Sequence, residues 1–162
     1  MPKRYAYNTS ATQVKKRYAM IGSTATQVKK RYAMIGSTAT LVYQAQSDTL
    51  TVTATAPTDN GVARSNIITN TENYTKMVIE SVSAYGGNYG NNWAKLYVNG
   101  TCVKNTGDQG NPSSYQSAVK SWSGSFDISQ NGTVYVEVRT DVNTAIDDFG
   151  DAISATVKFH FE

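Results

Sequence analysis

The 162-residue sequence predicts an all-β protein, and three observations carry this prediction. Apolar and polar residues alternate in several runs, which is the period of a half-buried strand. Asn-Gly pairs, the strongest short signal for a tight hairpin, stand between such runs. Charged residues make up only 17% of the chain, against about 25% in ordinary globular domains, so threonine, serine and asparagine must supply the polar surface. We predict an antiparallel β-sandwich, or single jelly roll, of about eight strands, preceded by an extended basic N-terminal arm.

The strictest alternation lies in three runs, at 49–56, Thr133–Arg139 and Ile153–Phe161. Each run carries an apolar residue at every second position, so these side chains would form the core and the residues between them would face water. Weaker patterns predict five further strands, at 40–44, 76–84, Trp93–Val98, 101–104 and 121–128. No pattern predicts a helix longer than a turn or two, except near 143–148.

Three Asn-Gly pairs predict turns: Asn99-Gly100, Asn131-Gly132 and Asn60-Gly61. Two loops, at 85–93 and 105–115, are rich in glycine, asparagine and serine and are longer than usual hairpin connections. In the first loop, Tyr85, Tyr89 and Trp93 are candidate ligand or interface residues. Exposed aromatic rings can stack on sugars or anchor a subunit contact, although these rings could equally fold back onto the core.

A fourteen-residue repeat precedes the predicted body. The copies at 16–29 and 30–43 share their first eleven residues, KRYAMIGSTAT, and a degenerate copy of thirteen residues begins at Lys3. Solenoid repeats run to about 20–50 residues, and this repeat lacks the apolar a and d positions of a coiled coil, so we predict neither. A tandem duplication, natural or introduced, is the simplest origin, because an arm without a packed core tolerates insertion.

Charge divides the chain into two parts. Residues 1–47 contain eight basic residues and no acid, a net charge of +8, whereas the remaining residues contain seven basic and twelve acidic ones, a net charge of −5. The value of +3 for the whole chain hides this difference. We therefore predict a basic arm over residues 1–40 and a β-sandwich domain over residues 41–162.

A cationic arm is suited to nucleic-acid phosphate or to an acidic protein surface. In each copy of the repeat a tyrosine follows the arginine, and an aromatic ring beside a cation can stack on an unpaired base or pack on a partner chain. The candidate binding residues of the arm are Lys3, Arg4, Tyr5, Lys15, Lys16, Arg17, Tyr18, Lys29, Lys30, Arg31 and Tyr32.

The sequence predicts no catalytic or metal site. The single histidine, His160, lies between two phenylalanines on the outward face of the last strand, and the single cysteine, Cys102, has no evident activating partner. Four acids cluster between two strands: Asp141, Asp147, Asp148 and Asp151. Calcium favours oxygen ligands in such loops, but the spacing matches no EF-hand, and a solvated acidic loop is the alternative. We expect no enzyme activity and no cofactor.

The whole-chain layout, a cationic arm before an eight-stranded body, resembles the small jelly-roll coat proteins of viruses. This resemblance implies a structural subunit that assembles with copies of itself in a virion, with an arm that contacts nucleic acid or neighbouring subunits. It rests on the charge layout and the strand count, so no functional residue is carried over from that family.

Two other functions remain open at this stage. The chain could be an extracellular fibre or pilus subunit whose arm adds a strand to the sheet edge of the next subunit. It could also be a carbohydrate-binding module that uses the aromatic loop. The start of the sequence shows no apolar stretch of a secretory signal, which disfavours the extracellular location. No apolar run is long enough to span a membrane, so we expect no membrane span.

Overall fold

The computed structural model describes residues 18–21, 24–27, 30–35, 38–44, 46–56, 61–87, 90–140 and 152–162. The chain divides into two compact units, Met1–Gln46 and Ser47–Glu162. The strand that the sequence predicts at 40–44 belongs to the first unit.

The described part of the first unit consists of two β-hairpins. β1 (Tyr18–Ile21) pairs with β2 (Thr24–Gln27), and β3 (Lys30–Ile35) pairs with β4 (Thr38–Gln44), each as a separate two-stranded antiparallel sheet. The two hairpins have the same register over equivalent residues, and in both an isoleucine pairs with the threonine three residues later. A Gly-Ser pair separates these partners in the sequence, and glycine at this place is typical of a two-residue hairpin loop.

The fourteen-residue repeat is therefore a repeated hairpin. Although fourteen residues are too few for a solenoid unit, they are enough for two strands and a turn. The described part of the second hairpin also includes the pairs of Lys30 with Gln44 and Arg31 with Tyr43, and a bulge follows Arg31.

The described residues of the second unit form ten elements, which are β5 (Leu50–Ala56), β6 (Val62–Arg64), β7 (Ile68–Thr69), β8 (Lys76–Tyr85), β9 (Trp93–Val98), β10 (Thr101–Asn105), α1 (Pro112–Lys120), β11 (Ser125–Asp127), β12 (Thr133–Arg139) and β13 (Ile153–Phe161). The strands form two antiparallel sheets that pack against each other. The first sheet has the order β11-β8-β13-β5, and the second has the order β10-β9-β12-β6, with β7 also paired to β12. The predicted all-β sandwich is confirmed.

The connectivity is that of a single jelly roll. Since β6 and β7 both pair with β12, they count as one interrupted strand, and the part of the body that the structure describes then has eight strands. The first strand pairs with the eighth, the second with the seventh, the third with the sixth and the fourth with the fifth. This is the order that results when one long antiparallel hairpin is rolled into two sheets.

Alternation along the strands builds the core between the sheets. In β12 and β13, every second residue is buried, namely the valines of β12 and the Ile, Ala, Val and Phe residues of β13. β5 and β9 contribute Val52, Ala54, Ala56, Ala94, Leu96 and Val98. The strict period-two runs of the sequence therefore mark the strands that face the core, and their predicted bounds differ from the observed ones by at most one residue.

The expectation of no helix longer than a turn or two is wrong, because α1 has nine residues. It begins after Asn111, whose side-chain oxygen accepts a hydrogen bond from the backbone N–H of Ser114 at 2.9 Å, and Pro112 follows directly. Tyr115 and Val119, four residues apart, are both fully buried. Two apolar positions are too few for a helical period to be visible in the sequence.

Three smaller differences from the prediction have simple causes. The strand predicted at 121–128 is reduced to the three residues of β11, because residues 121–124 form the turn that ends α1 and the link to β11. β6 and β7 were not predicted, since runs of three and two residues are too short to show a period. The possible helix near 143–148 lies outside the described residues.

Two of the predicted Asn-Gly turns are confirmed. Asn99 and Gly100 have φ of 52° and 74° between the paired strands β9 and β10, as a tight hairpin turn requires. Asn131 has φ of 61° just before β12. Of the third pair, Asn60 lies outside the described residues.

Candidate interaction surfaces

The structure describes part of the predicted basic binding surface. Lys30, Arg31 and Tyr32 are consecutive residues of β3; Arg31 is exposed, and the Tyr32 side chain is 58% exposed. Tyr18 begins β1 and pairs with Gln27. The remaining predicted residues of the arm, Lys3, Arg4, Tyr5, Lys15, Lys16, Arg17 and Lys29, lie outside the described part of the chain.

The second hairpin also exposes large apolar side chains. Tyr32, Met34 and Ile35 are 58%, 67% and 63% exposed. Alternation along β3 directs Tyr32 and Met34 to one face and Ile35 to the other. Two-stranded hairpins are at best marginally stable alone in water. A partner surface that covers these apolar side chains would therefore stabilise the β3–β4 hairpin.

The structure separates the aromatic residues that the sequence grouped in one loop. Tyr85 ends β8 and pairs with Ser154 on the outward face of the first sheet, where it is 70% exposed. Trp93 begins β9 and pairs with Arg139 on the outward face of the second sheet. Tyr89 lies outside the described residues. Tyr85 and Trp93 therefore do not form one common ligand platform.

A cluster of four side chains lies on the outward face of the second sheet: Arg64, Tyr97, Tyr135 and Glu137, here called the Glu137 cluster. The rings of Tyr97 and Tyr135 stack with their centroids 4.7 Å apart, and the Arg64 guanidinium lies 4.7 Å from the Tyr135 ring. Arg64 donates two hydrogen bonds, of 2.9 and 2.7 Å, to one oxygen of Glu137. An ion pair, a cation–π contact and stacked rings therefore link side chains of three strands, β6, β9 and β12.

Burial, together with a hydrogen bond to the Glu137 carboxylate, raises the pKa of Tyr97 to about 12. A neutral phenol can donate this hydrogen bond, whereas a phenolate would lie against a second negative charge. The cluster therefore holds Tyr97 as a neutral hydrogen-bond donor near neutral pH.

Changing Glu137 to glutamine should lower the pKa of Tyr97 below about 12, because the neighbouring negative charge is removed. The pKa should stay above the ordinary value of about 10, because burial remains. NMR titration of the Tyr97 ring would measure the shift. Glu162→Gln, which alters a carboxylate directly after β13 of the other sheet, is the control. An equal pKa of Tyr97 in both variants would contradict the assigned cause.

His160 has the outward position that the sequence predicts, but it is largely covered by its neighbours. Its Nδ1 lies 2.8 Å from an oxygen of Glu80, whose other carboxylate oxygen accepts a hydrogen bond from the Thr49 hydroxyl at 2.8 Å. Glu80 is the extra residue at a bulge in β8, opposite β13. This contact joins β13 to the bulged strand and to the start of β5.

A shallow depression of about 340 Å³ lies between the two Asn-Gly turns. It is lined by Asn99, Gly100, Ser129, Asn131, Gly132 and Thr133. None of these residues carries an acid, a base or a thiol, so the depression offers hydrogen bonds without proton-transfer chemistry. The Asn99 side chain accepts from Ser129 and donates to the Asp127 carbonyl at 3.2 Å, which joins the turns.

The other reactive side chains give no catalytic arrangement within the described residues. Cys102 as a whole is exposed, and its thiol donates to the Lys104 carbonyl. Partial desolvation of the sulfur by its neighbours raises the pKa of the thiol, which disfavours the reactive thiolate. No group of three or more His, Cys, Asp or Glu side chains in the described chain is arranged to hold a metal ion. The four aspartates of the proposed calcium loop, Asp141, Asp147, Asp148 and Asp151, lie outside it.

Comparison of the chain with protein-family models, with curated proteins and with solved structures finds no match. Among the described residues, no helix has the length and apolar character needed to cross a bilayer.

Proposed function

We propose that this chain is a non-enzymatic structural subunit of a self-assembling particle, a virion coat protein, and that its basic N-terminal region binds nucleic acid. The observation that carries the proposal is the combination of a single jelly-roll body with a preceding region of 47 residues that has eight positive charges and no acid. Jelly rolls occur in viral capsids and also in lectins and cupins, and the charge layout supports the first of these.

The charge layout favours nucleic acid over a neutral sugar. Each lysine or arginine that contacts a phosphate releases a counterion, so a dense set of cations binds any sequence at low salt. The lectin alternative loses support from the separation of Tyr85 and Trp93 onto different sheets.

The apolar exposure of the second hairpin supports assembly. A hairpin that leaves Tyr32, Met34 and Ile35 more than half exposed has surface that a neighbouring subunit would cover. Tyrosine and methionine are also enriched in interface cores. A jelly-roll body with such a region in front of it is suited to contacts between subunits.

Nucleic-acid binding by the purified chain tests the proposal. We expect affinity for a random single-stranded oligonucleotide to fall steeply with salt, with a logarithmic slope of about −0.7 per phosphate contact. Replacing Lys15, Lys16, Arg17, Lys29, Lys30 and Arg31 with glutamine should abolish this binding. Exchanging lysine and arginine at the same six positions is the matched control and should preserve it, because the charge is unchanged.

Electron microscopy of the same preparations tests assembly. Closed shells formed with nucleic acid would support a virion subunit, and open filaments would favour the fibre alternative. Unchanged binding by the glutamine variant, or a chain that stays monomeric with nucleic acid present, would refute the proposal.

A further inference from the structure

The two sheets of the body have four edges, and three of them carry features that discourage pairing with another strand. β11 has only three residues and ends in Asp127, and β6 has three residues and ends in Arg64. β10 contains a bulge between Cys102 and Lys104. Short length, charge and bulges are the usual means by which sheet edges avoid unwanted partners.

The fourth edge, β5, has none of these features. It pairs with β13 over seven consecutive residues without a bulge, and its sequence, LTVTATA, contains no charge and no proline. Among the described residues, β13 is the strand with which β5 pairs. Alternate backbone N–H and C=O groups of β5 therefore point away from the sheet, and unpaired groups of this kind are a template for an added strand.

The sequence of β5 is complementary to itself in an antiparallel arrangement. With a two-fold axis through Thr53, Thr51 would lie opposite Thr55 and Val52 opposite Ala54 of the second copy. Threonines would then meet threonines on the outward face, while apolar residues would meet on the core face. A charge at position 53 would lie opposite its own copy across the two-fold axis and repel it, and β5 carries no charge.

The side of the sandwich next to β5 also exposes apolar residues. β6 lies across the sandwich from β5 and in contact with it. Val62 on β6 is 61% exposed, and Ile67 in the link to β7 is 51% exposed.

We propose that two copies of this chain associate by antiparallel pairing of their β5 strands about a two-fold axis at Thr53. The first sheets of the two bodies then become one continuous eight-stranded sheet. This pairing would be one of the contacts between subunits of the proposed particle. The pairing of two copies does not depend on the proposed function; only its role in a larger assembly does.

A lysine at Thr53 tests the interface, because it places two positive charges against each other at the axis while its side chain points away from the core. Thr156→Lys is the matched control. Thr156 is the partner of Thr53 on β13, the two hydroxyl oxygens are 2.9 Å apart, and both variants lose that hydrogen bond. Sedimentation over a concentration series should show weaker association of Thr53→Lys, by about tenfold or more, and wild-type association of Thr156→Lys.

Disulfide formation tests the partner and the register. In a Cys102→Ser background, Thr53→Cys would place two cysteines opposite each other, with Cα atoms about 4.5–5.5 Å apart, within the range that a disulfide bridges. Oxidation should give a covalent dimer. Thr156→Cys should give none, because one further strand on each side separates its copies by roughly 15 Å.

Each result has a separate meaning. Equal association of Thr53→Lys and Thr156→Lys would overturn the proposal. So would weakened association of Thr53→Lys without a Thr53 disulfide, which would indicate that another segment, such as the N-terminal region, pairs with β5. A Thr53 disulfide in a chain that fails to bind nucleic acid would support this interface and refute the coat function. If the Thr53→Cys chain formed shells but no disulfide, the coat function would be supported and this interface refuted.

Discussion

Replacing Gly86 with alanine should lower the free energy of unfolding by roughly 3–5 kcal/mol. Gly86 has φ of +74°, in the left-handed region, where a side chain costs about 1–2 kcal/mol. An added Cβ would also overlap the carbonyl oxygen of Ala152 and lie 2.9 Å from its carbon. These are backbone atoms and cannot rotate away as a flexible side chain could. Denaturant unfolding of the purified chain would measure the loss.

Gly107→Ala is the control that separates the two costs. Gly107 has φ of +65°, but no atom lies within 4 Å of an added Cβ. The Gly107→Ala substitution should therefore lower the free energy of unfolding by only about 1–2 kcal/mol. If both variants lost the same free energy, the close approach of Gly86 to Ala152 would contribute nothing to stability.

Replacing Asn70 with alanine should lower the free energy of unfolding by a similar amount, about 3–4 kcal/mol. Asn70 is fully buried. Its amide nitrogen donates to the carbonyl oxygens of Tyr74 and Ser129 at 2.7 and 3.0 Å, and its side-chain oxygen accepts from the Tyr74 N–H at 3.3 Å. Alanine would leave these three backbone groups without that partner, in a place where the fold gives little room for water.

The exposed Asn66 provides the control for this prediction. Asn66→Ala removes the same amide from the same loop region and should change the free energy of unfolding by less than about 0.5 kcal/mol. Thermal unfolding and denaturant unfolding should agree in this ranking. A stable Asn70→Ala chain would mean that water or a shifted backbone replaces all three hydrogen bonds.

The parts of the fold that were predictable are those with a local cause. Period-two alternation is a property of one strand and one core face, so β5, β12 and β13 could be located to within one residue. The turn at Asn99 and Gly100 follows from the tolerance of these two residues for positive φ. The segregation of charge into the first 47 residues needs no structure at all.

The candidate surfaces were less predictable, because they depend on which strands become neighbours. Tyr85 and Trp93 are eight residues apart in sequence, yet the strands that carry them belong to different sheets. The Glu137 cluster joins three strands that are distant along the chain. Its members show no common motif, and only the pairing register brings them together.

The same distinction applies to the proposed β5 interface. The sequence alone determined that LTVTATA is an uncharged strand with one apolar face, because side-chain alternation is local. Only the tertiary structure decided that this strand lies at a sheet edge, since β13, the strand that pairs with it among the described residues, is about a hundred residues away. The sequence likewise determined where the positive charge lies, whereas the fold decided that Tyr115 and Val119 form a helix, because their burial depends on the strands around them.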